Sequence, residues 1–147
     1  MVGTGDMYSR IIEMAADMGI GKYFHYTGFI EREKIDEIFK MSDVYVLPSV
    51  SEPFGLTVLE ALKSGVPVIV SKQSGVSEII ENAIKVDFWN VDDIANHIIN
   101  ILQDEDYKNE IKQKLNQEQI HKITWYDSAR KIEEIYNYIL EKKGNNL

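Results

Sequence analysis

Pro48-Ser49-Val50-Ser51-Glu52-Pro53-Phe54-Gly55-Leu56-Thr57-Val58-Leu59-Glu60-Ala61-Leu62-Lys63-Ser64-Gly65-Val66-Pro67-Val68 joins one apolar run to the next, and its reading decides the fold. Ahead of it, Asp43-Val44-Tyr45-Val46-Leu47 reads as a strand stopped by Pro48, which has no N–H to give a ladder. Behind it, Val66-Pro67-Val68-Ile69-Val70 reads as a second strand bounded by Gly65. Both runs are short and nearly all apolar, as in strands covered on both faces. Between them, residues 55–64 have helical spacing. Strand, helix, strand is the βαβ unit, which predicts a mostly parallel sheet.

The alternation continues outward. Asp6 stands as the N-cap of a helix of about 12 residues carrying Ile11, Ile12, Ala15 and Met18. Residues 23–27 read as a strand ending at Gly28, and 31–40 as a helix with Ile35, Ile38 and Phe39 inward. Residues 84–86 form one more short strand. After Asn90 the pattern is helical over 91–102, 105–119 and 125–142. The fold class is therefore α/β, a Rossmann-like parallel sheet with flanking helices. One domain is read over 1–147, with a helical tail over about 105–143. Val2-Gly3-Thr4-Gly5-Asp6 resembles the end of a strand entering a glycine turn and a helix. The strand itself has no room before it, so the sequence is expected to begin inside a domain.

Composition narrows the function. The chain has 147 residues, 44% hydrophobic and 27% charged, an ordinary globular balance. Its net charge of −8 repels phosphate backbones and anionic lipid, so no nucleic-acid partner is expected. There is no cysteine, which removes disulfides, thiolate zinc sites and cysteine nucleophiles. No apolar run approaches the roughly 20 residues of a membrane helix. The opening residues have neither the basic nor the apolar region of a signal peptide. A cytoplasmic chain without a membrane span is the expectation.

The chemistry gathers after Pro48. Loops that follow strand C-termini line the ligand crevice of a parallel sheet. The first turn of a helix at Gly55 offers unpaired N–H groups and a positive dipole end, which suit phosphate or sugar oxygens. Gly55, without a Cβ, allows close approach of a ligand to the backbone. The helix is apolar almost all round, with Leu56, Val58, Leu59, Ala61 and Leu62. Thr57, Glu60 and Ser64 share one stripe, with Lys63 at its margin. A carboxylate there needs partners, either internal or in a polar cavity, and vicinal ribose hydroxyls are good donors to one carboxylate. On charge spacing alone, a surface pair of Glu60 with Lys63 and a helix-start acid at Glu52 serve equally well.

The longer string adds a resemblance. Glu52 to Glu60 resembles the E-x(7)-E motif of retaining, nucleotide-sugar-dependent glycosyltransferases of the GT-B fold, the group 1 glycosyl transferases. Gly28-Phe29 resembles their loop after a strand, and Ser42-Asp43-Val44-Tyr45-Val46-Leu47-Pro48-Ser49 a strand of the same family. Gly65-Val66-Pro67-Val68, Gly75-Val76-Ser77-Glu78-Ile79 and the closing helix with Trp125, Ala129 and Tyr136 follow in the family's order. The resemblance implies a hexosyltransferase of polysaccharide biosynthesis, here its C-terminal, donor-binding half. It implies a UDP-, GDP- or ADP-sugar as donor, with no metal and no other cofactor. By the same resemblance Glu60 holds the ribose hydroxyls. Glu52, the catalytic candidate, lies near the hydroxyls of the transferred sugar. Amides of Phe54, Gly55 and Leu56 contact the sugar, and Thr57 the diphosphate. Gly3 and Gly5 lie near the donor pocket, and Gly28, Phe29 and Ile30 near the base.

Departures from the family pattern qualify this. The segment that carries the family's diphosphate-binding Arg and Lys would precede Met1, and the acceptor domain, or an upstream partner chain, would supply the other wall. Ser74-Gly75 stands where Gly-Gly is usual, and Asn82-Ala83-Ile84-Lys85-Val86-Asp87-Phe88-Trp89 replaces a glycine-rich strand entry. Gly55-Leu56-Thr57 resembles glycogen-synthase-like and sucrose-phosphate-synthase-like members. The competing reading is a non-catalytic sugar-nucleotide-binding module, or one subunit of a split transferase. A receiver-like signalling domain shares the layout but lacks the acidic cluster. His25, His97 and His121 show no metal-ligand spacing, Asp92-Asp93 reads as a helix start, and Trp125 reads as a core anchor.

Overall fold

The computed structural model describes residues 1–116 and 125–144. It divides into two compact units, Met1–Met41 and the chain from Ser42 onward.

In the first unit, α1 (Tyr8–Asp17) begins after a turn in which the Tyr8 N–H donates to Gly5 O at 3.0 Å. Met7 occupies the cap position with no side-chain bond, so Asp6 is not the cap. Asp6 lies within that turn, one residue too early to reach the first helical amides. At the other end Gly19, at φ +69°, lets the Ile20 N–H reach Ala15 O at 3.0 Å and the Gly19 N–H reach Ala16 O at 2.9 Å. This paired left-handed closure satisfies carbonyls that the helix leaves open. α1 rests on aromatic residues: the Tyr8 and Tyr26 rings meet edge to face at 5.9 Å, and Phe24 stacks on Tyr26 at 5.6 Å. α2 (Arg32–Lys40) buries Phe39.

The strand expected over 23–27 does not form. A 3-10 turn takes Gly21–Tyr23 instead, and the rest is irregular. Strand-like bonds are nevertheless present. The amino group of Met1 donates to His25 O at 2.6 Å, the Thr27 N–H to Met1 O at 3.1 Å, and the Gly3 N–H to Gly28 O at 2.8 Å. A parallel ladder would send the Gly3 N–H to Thr27 O. Gly28, at φ +67°, turns the chain and shifts that last bond by one residue.

The second unit is built on three parallel strands in the order β1 (Tyr45–Leu47), β2 (Val68–Ser71), β3 (Ile84–Val86). Val46 pairs with Ile69, and Val70 with Lys85. The central strand β2 is buried at every position, as the apolar run predicts. α3 (Leu56–Lys63) packs Val58, Leu59, Ala61 and Leu62 into the core with Val68, Ile69, Val70, Ile84 and Val86. Gly65, at φ +75°, closes α3 by the same paired bonds seen after α1. Its continuation Val66-Pro67 then feeds β2 directly, so this glycine sets where the strand enters the sheet.

A short helix, α4 (Val76–Ile79), was not expected; it follows β2 and buries Val76 and Ser77. α5 (Val91–Gln103) starts as read at Asp92-Asp93, with Asn90 Oδ1 accepting from the Asp93 N–H at 3.1 Å. α6 (Glu105–Asn116) and α7 (Trp125–Gly144) complete the described chain. Residues 117–119 of the expected helix, and His121, lie outside the described residues. Trp125 is 87% exposed and so is no core anchor. It lies on the α7 stripe with Ile132, Tyr136 and Ile139, which the described residues leave open to solvent.

Candidate functional site

The sheet sends the loops after its strands to one edge. The 48–55 loop follows β1, the 72–75 loop follows β2, and Asp87 follows β3. Three contacts bind them together. Glu52 and Ser74 form an isolated parallel bridge, in which the Gly75 N–H donates to Glu52 O at 2.9 Å. The Lys72 N–H donates to Val86 O at 2.8 Å, and its ammonium pairs with the Asp87 carboxylate at 2.9 Å. Gly75 is fixed by the first contact, because a Cβ there would collide with the Pro53 carbonyl. Beneath it, Ser71 and Ser74 are buried but satisfied, Ser74 Oγ donating to Ser71 O at 2.7 Å.

The Glu52 side chain turns back on its own loop. Its Oε1 accepts from the Gly55 N–H at 3.0 Å and from the Phe54 N–H at 3.5 Å. A carboxylate at the N-terminal end of α3 also faces the positive end of the helix dipole. Two of the amides read as sugar contacts are therefore held by Glu52 in this structure. The amides of Leu56 and Thr57, at the first two helical positions, have no carbonyl one turn back within the helix.

Gly55 has a different reason from the one read in the sequence. It is buried and sits at φ +89°. An added Cβ would meet Val76 Cγ1 at 3.1 Å and Leu47 Cδ2 at 3.4 Å. The missing side chain thus faces the core, and the glycine serves the turn and the packing of α4 rather than room for a ligand.

α3 is also less uniformly apolar on its surface than its sequence reads. Leu56 is 58% exposed, and Thr57 and Lys63 are open, while Glu60 and Ser64 are half-buried. These five make the outward stripe opposite Val58, Leu59, Ala61 and Leu62. Ser64 Oγ donates to Glu60 O at 3.1 Å, closing the last turn.

The residue that the sequence reading missed is Tyr45. Its hydroxyl donates to Thr57 Oγ1 at 2.8 Å, joining the start of β1 to the first turn of α3. Burial pushes its phenol above the ordinary 10.0; the bond to Thr57 acts the other way, and the charges of Glu52 and Glu60 raise it further. One phenol thus feels both glutamates. The available signal was strand parity: Tyr45 and Leu47 share a face, and Leu47 packs at Gly55.

The remaining sequence-derived candidates belong to the first unit. Gly3 and Gly5 line a hollow of about 250 Å³ with Met1, Val2, Tyr8 and Ile11. Phe29 and Ile30 line another of about 470 Å³ with Lys34, Glu37 and Met41, and Phe29 is 80% exposed. Gly28 makes the turn between these segments. His25 is exposed; His97 Nδ1 lies 3.0 Å from the Tyr107 hydroxyl and its Nε2 3.6 Å from Asp93. Among the described residues no three His, Cys, Asp or Glu side chains are grouped to hold a metal ion, and no helix is long and apolar enough to cross a membrane.

Known proteins resemble this chain in sequence and in fold. The family model for glycosyl transferases group 1 matches residues 1–119. An uncharacterized glycosyltransferase of Methanocaldococcus jannaschii is 31% identical over 98% of the chain, which spans 38% of that protein. N-acetyl-alpha-D-glucosaminyl L-malate synthase of Bacillus anthracis is 26% identical over 99% of the chain and 38% of its own length. Among solved structures, sucrose-phosphate synthase of Thermosynechococcus elongatus superimposes with a TM-score of 0.78 at 25% identity, over 94% of this chain and 35% of that one. Anabaena HepE in complex with UDP-glucose gives a TM-score of 0.75 at 20% identity, over 90% of this chain and 40% of that one, a likeness of fold. The chain therefore spans between about a third and two fifths of each of these four proteins.

Proposed function

Because the chain belongs to the glycosyl transferases group 1 family, we propose that it is the donor-binding half of a GT-B hexosyltransferase, which moves a hexose from a nucleoside diphosphate sugar to an acceptor with retention at the anomeric carbon. The observation that carries the reading is the grouping at the start of α3. Glu52 and Glu60 act by charge, and Thr57 by a hydrogen bond, on one half-buried phenol, that of Tyr45, which reaches from β1 to the first turn of α3. In this reading Glu60 accepts from the ribose hydroxyls. Thr57 and the open amides of Leu56 and Thr57 take the diphosphate. Glu52 holds the loop and the hydroxyls of the transferred sugar.

The chemistry follows from charge. The departing nucleoside diphosphate gains negative charge as the glycosidic bond breaks. Fixed N–H dipoles at a helix start stabilise it without reorganising, so no metal is required in this scheme. Glu52 acts by orienting the sugar through accepted hydrogen bonds, with its Oε1 already held by the amides of Phe54 and Gly55 in its own loop. The acceptor and the remaining cationic groups come from the part of the relatives' length that this chain does not span.

A second reading keeps the nucleotide binding and drops the transfer. The chain is then a sugar-nucleotide-binding subunit that does no transfer until joined by a partner. Titration calorimetry of the chain against UDP-, GDP- and ADP-sugars tests the binding common to both readings. Saturable one-to-one binding of one nucleotide class is expected. Heats indistinguishable from dilution for all three would contradict it. An acceptor-dependent assay, with and without a co-expressed partner half, separates transferase from binding module.

A further inference from the structure

We infer that Tyr45 is a positioning residue, which fixes the Thr57 hydroxyl as a donor aimed at an oxygen of the diphosphate. The inference rests on the donor-binding reading above and adds a residue to it. A phenol is more acidic than an aliphatic alcohol, so in a pair of hydroxyls it donates and the threonine accepts. The 2.8 Å contact is therefore Tyr45 O–H to Thr57 Oγ1. Among the described residues this is the one hydrogen bond recorded for the Thr57 hydroxyl, so its own hydrogen is turned away from Tyr45.

Thr57 is exposed at the second position of α3, where the helix N–H groups also point outward. A hydroxyl hydrogen with its rotor set in advance joins those amides in presenting donors to one anionic oxygen. Without Tyr45 the hydroxyl rotates freely, and it can bond back to a carbonyl of the preceding turn instead. The environment keeps the phenol a donor. Burial and the two neighbouring glutamates disfavour its ionisation, so it stays protonated at neutral pH. Tyr45 itself need touch no ligand. It starts β1, is half-buried, and its hydroxyl reaches across to the first turn of α3.

The test separates diphosphate from nucleoside. UDP, GDP and ADP, and the nucleosides uridine, guanosine and adenosine, are titrated into wild type, Tyr45→Phe, Thr57→Val, Thr57→Ser and the double variant Tyr45→Phe/Thr57→Val. Thermal unfolding confirms that each is folded. Loss of one hydrogen bond to a charged oxygen corresponds to about tenfold or more in affinity. Tyr45→Phe is expected to weaken the diphosphate by that factor and to leave the matching nucleoside unchanged. In the Thr57→Val background the tyrosine substitution then has no further effect, while Thr57→Ser, which keeps the hydroxyl, retains binding. Equal weakening of nucleoside and diphosphate, full additivity of the two substitutions, or wild-type diphosphate affinity in Tyr45→Phe overturns the role of Tyr45 and leaves the donor-binding reading intact. If no diphosphate binds wild type, the donor-binding reading fails and this inference with it.

Discussion

Gly55 precedes α3 at φ +89°, where an added Cβ would meet Val76 and Leu47. That the absent side chain points at Val76, 21 residues onward, depends on where α4 folds back. Two costs follow for Gly55→Ala: the left-handed φ, about 1 to 2 kcal/mol, and a methyl pressed against Val76 Cγ1 at 3.1 Å. Gly65→Ala carries the first cost alone, since nothing lies within 4 Å of its added methyl. Urea unfolding should therefore rank Gly55→Ala clearly below Gly65→Ala, both below wild type. Equal midpoints for the two would mean that the core absorbs the methyl. For Tyr45 the strand was read correctly, but its hydroxyl partner lies in another element, and no spacing rule connects residues 45 and 57.

At the scale of elements, periodicity placed β1, β2, β3, α2, α3, α5 and α7 to within two residues or so. The failures have physical causes. Residues 23–27 have strand composition, yet Gly28 breaks the ladder's register. α4 has four residues, too few to show a period. Capping behaved as composition predicts at α5, and Asn90→Ala should cost about 1 kcal/mol by urea unfolding; a loss under a few tenths would show the Asp93 amide to be satisfied by water. α6 is tied to the start of β1 by Lys108 and Asp43 at 2.8 Å, a pairing across 65 residues that no local pattern reveals. The hydrogen bond and then the charge of Lys108 hold Asp43 below its ordinary 3.8. Its contribution is therefore complete above that ordinary value, and is lost as pH falls through the lowered one. As an exposed pair it is worth at most about 1 kcal/mol. Asp43→Asn should lower stability by that small amount at pH 7, and by nothing at a pH below both values. A deficit that persists in acid would place the effect in packing instead.

At the scale of the molecule, the chain has the fold of the C-terminal half of a GT-B protein, and the relatives named above are between two and three times as long as the chain. Transfer requires donor and acceptor held together in a site that excludes water. The chain alone is expected to release no nucleoside diphosphate in an acceptor-dependent way, and robust turnover by it would refute the half-site account. Chelation with EDTA is expected to leave nucleotide affinity unchanged; a loss restored by a divalent cation would require a metal in the scheme.

The central claim is the proposal that Glu60, midway along α3, receives the ribose of the donor. It is tested most directly by calorimetric titration of wild type and Glu60→Gln with the nucleoside diphosphate that binds, and with its 2′-deoxy analogue. A hydrogen bond to a charged group is worth about 1.5–3 kcal/mol, so wild type should prefer the ribonucleotide by about tenfold or more. Glu60→Gln, still folded, should lose most of that preference by weakening the ribonucleotide alone. A folded Glu60→Gln that binds the ribonucleotide as tightly as wild type would contradict the account.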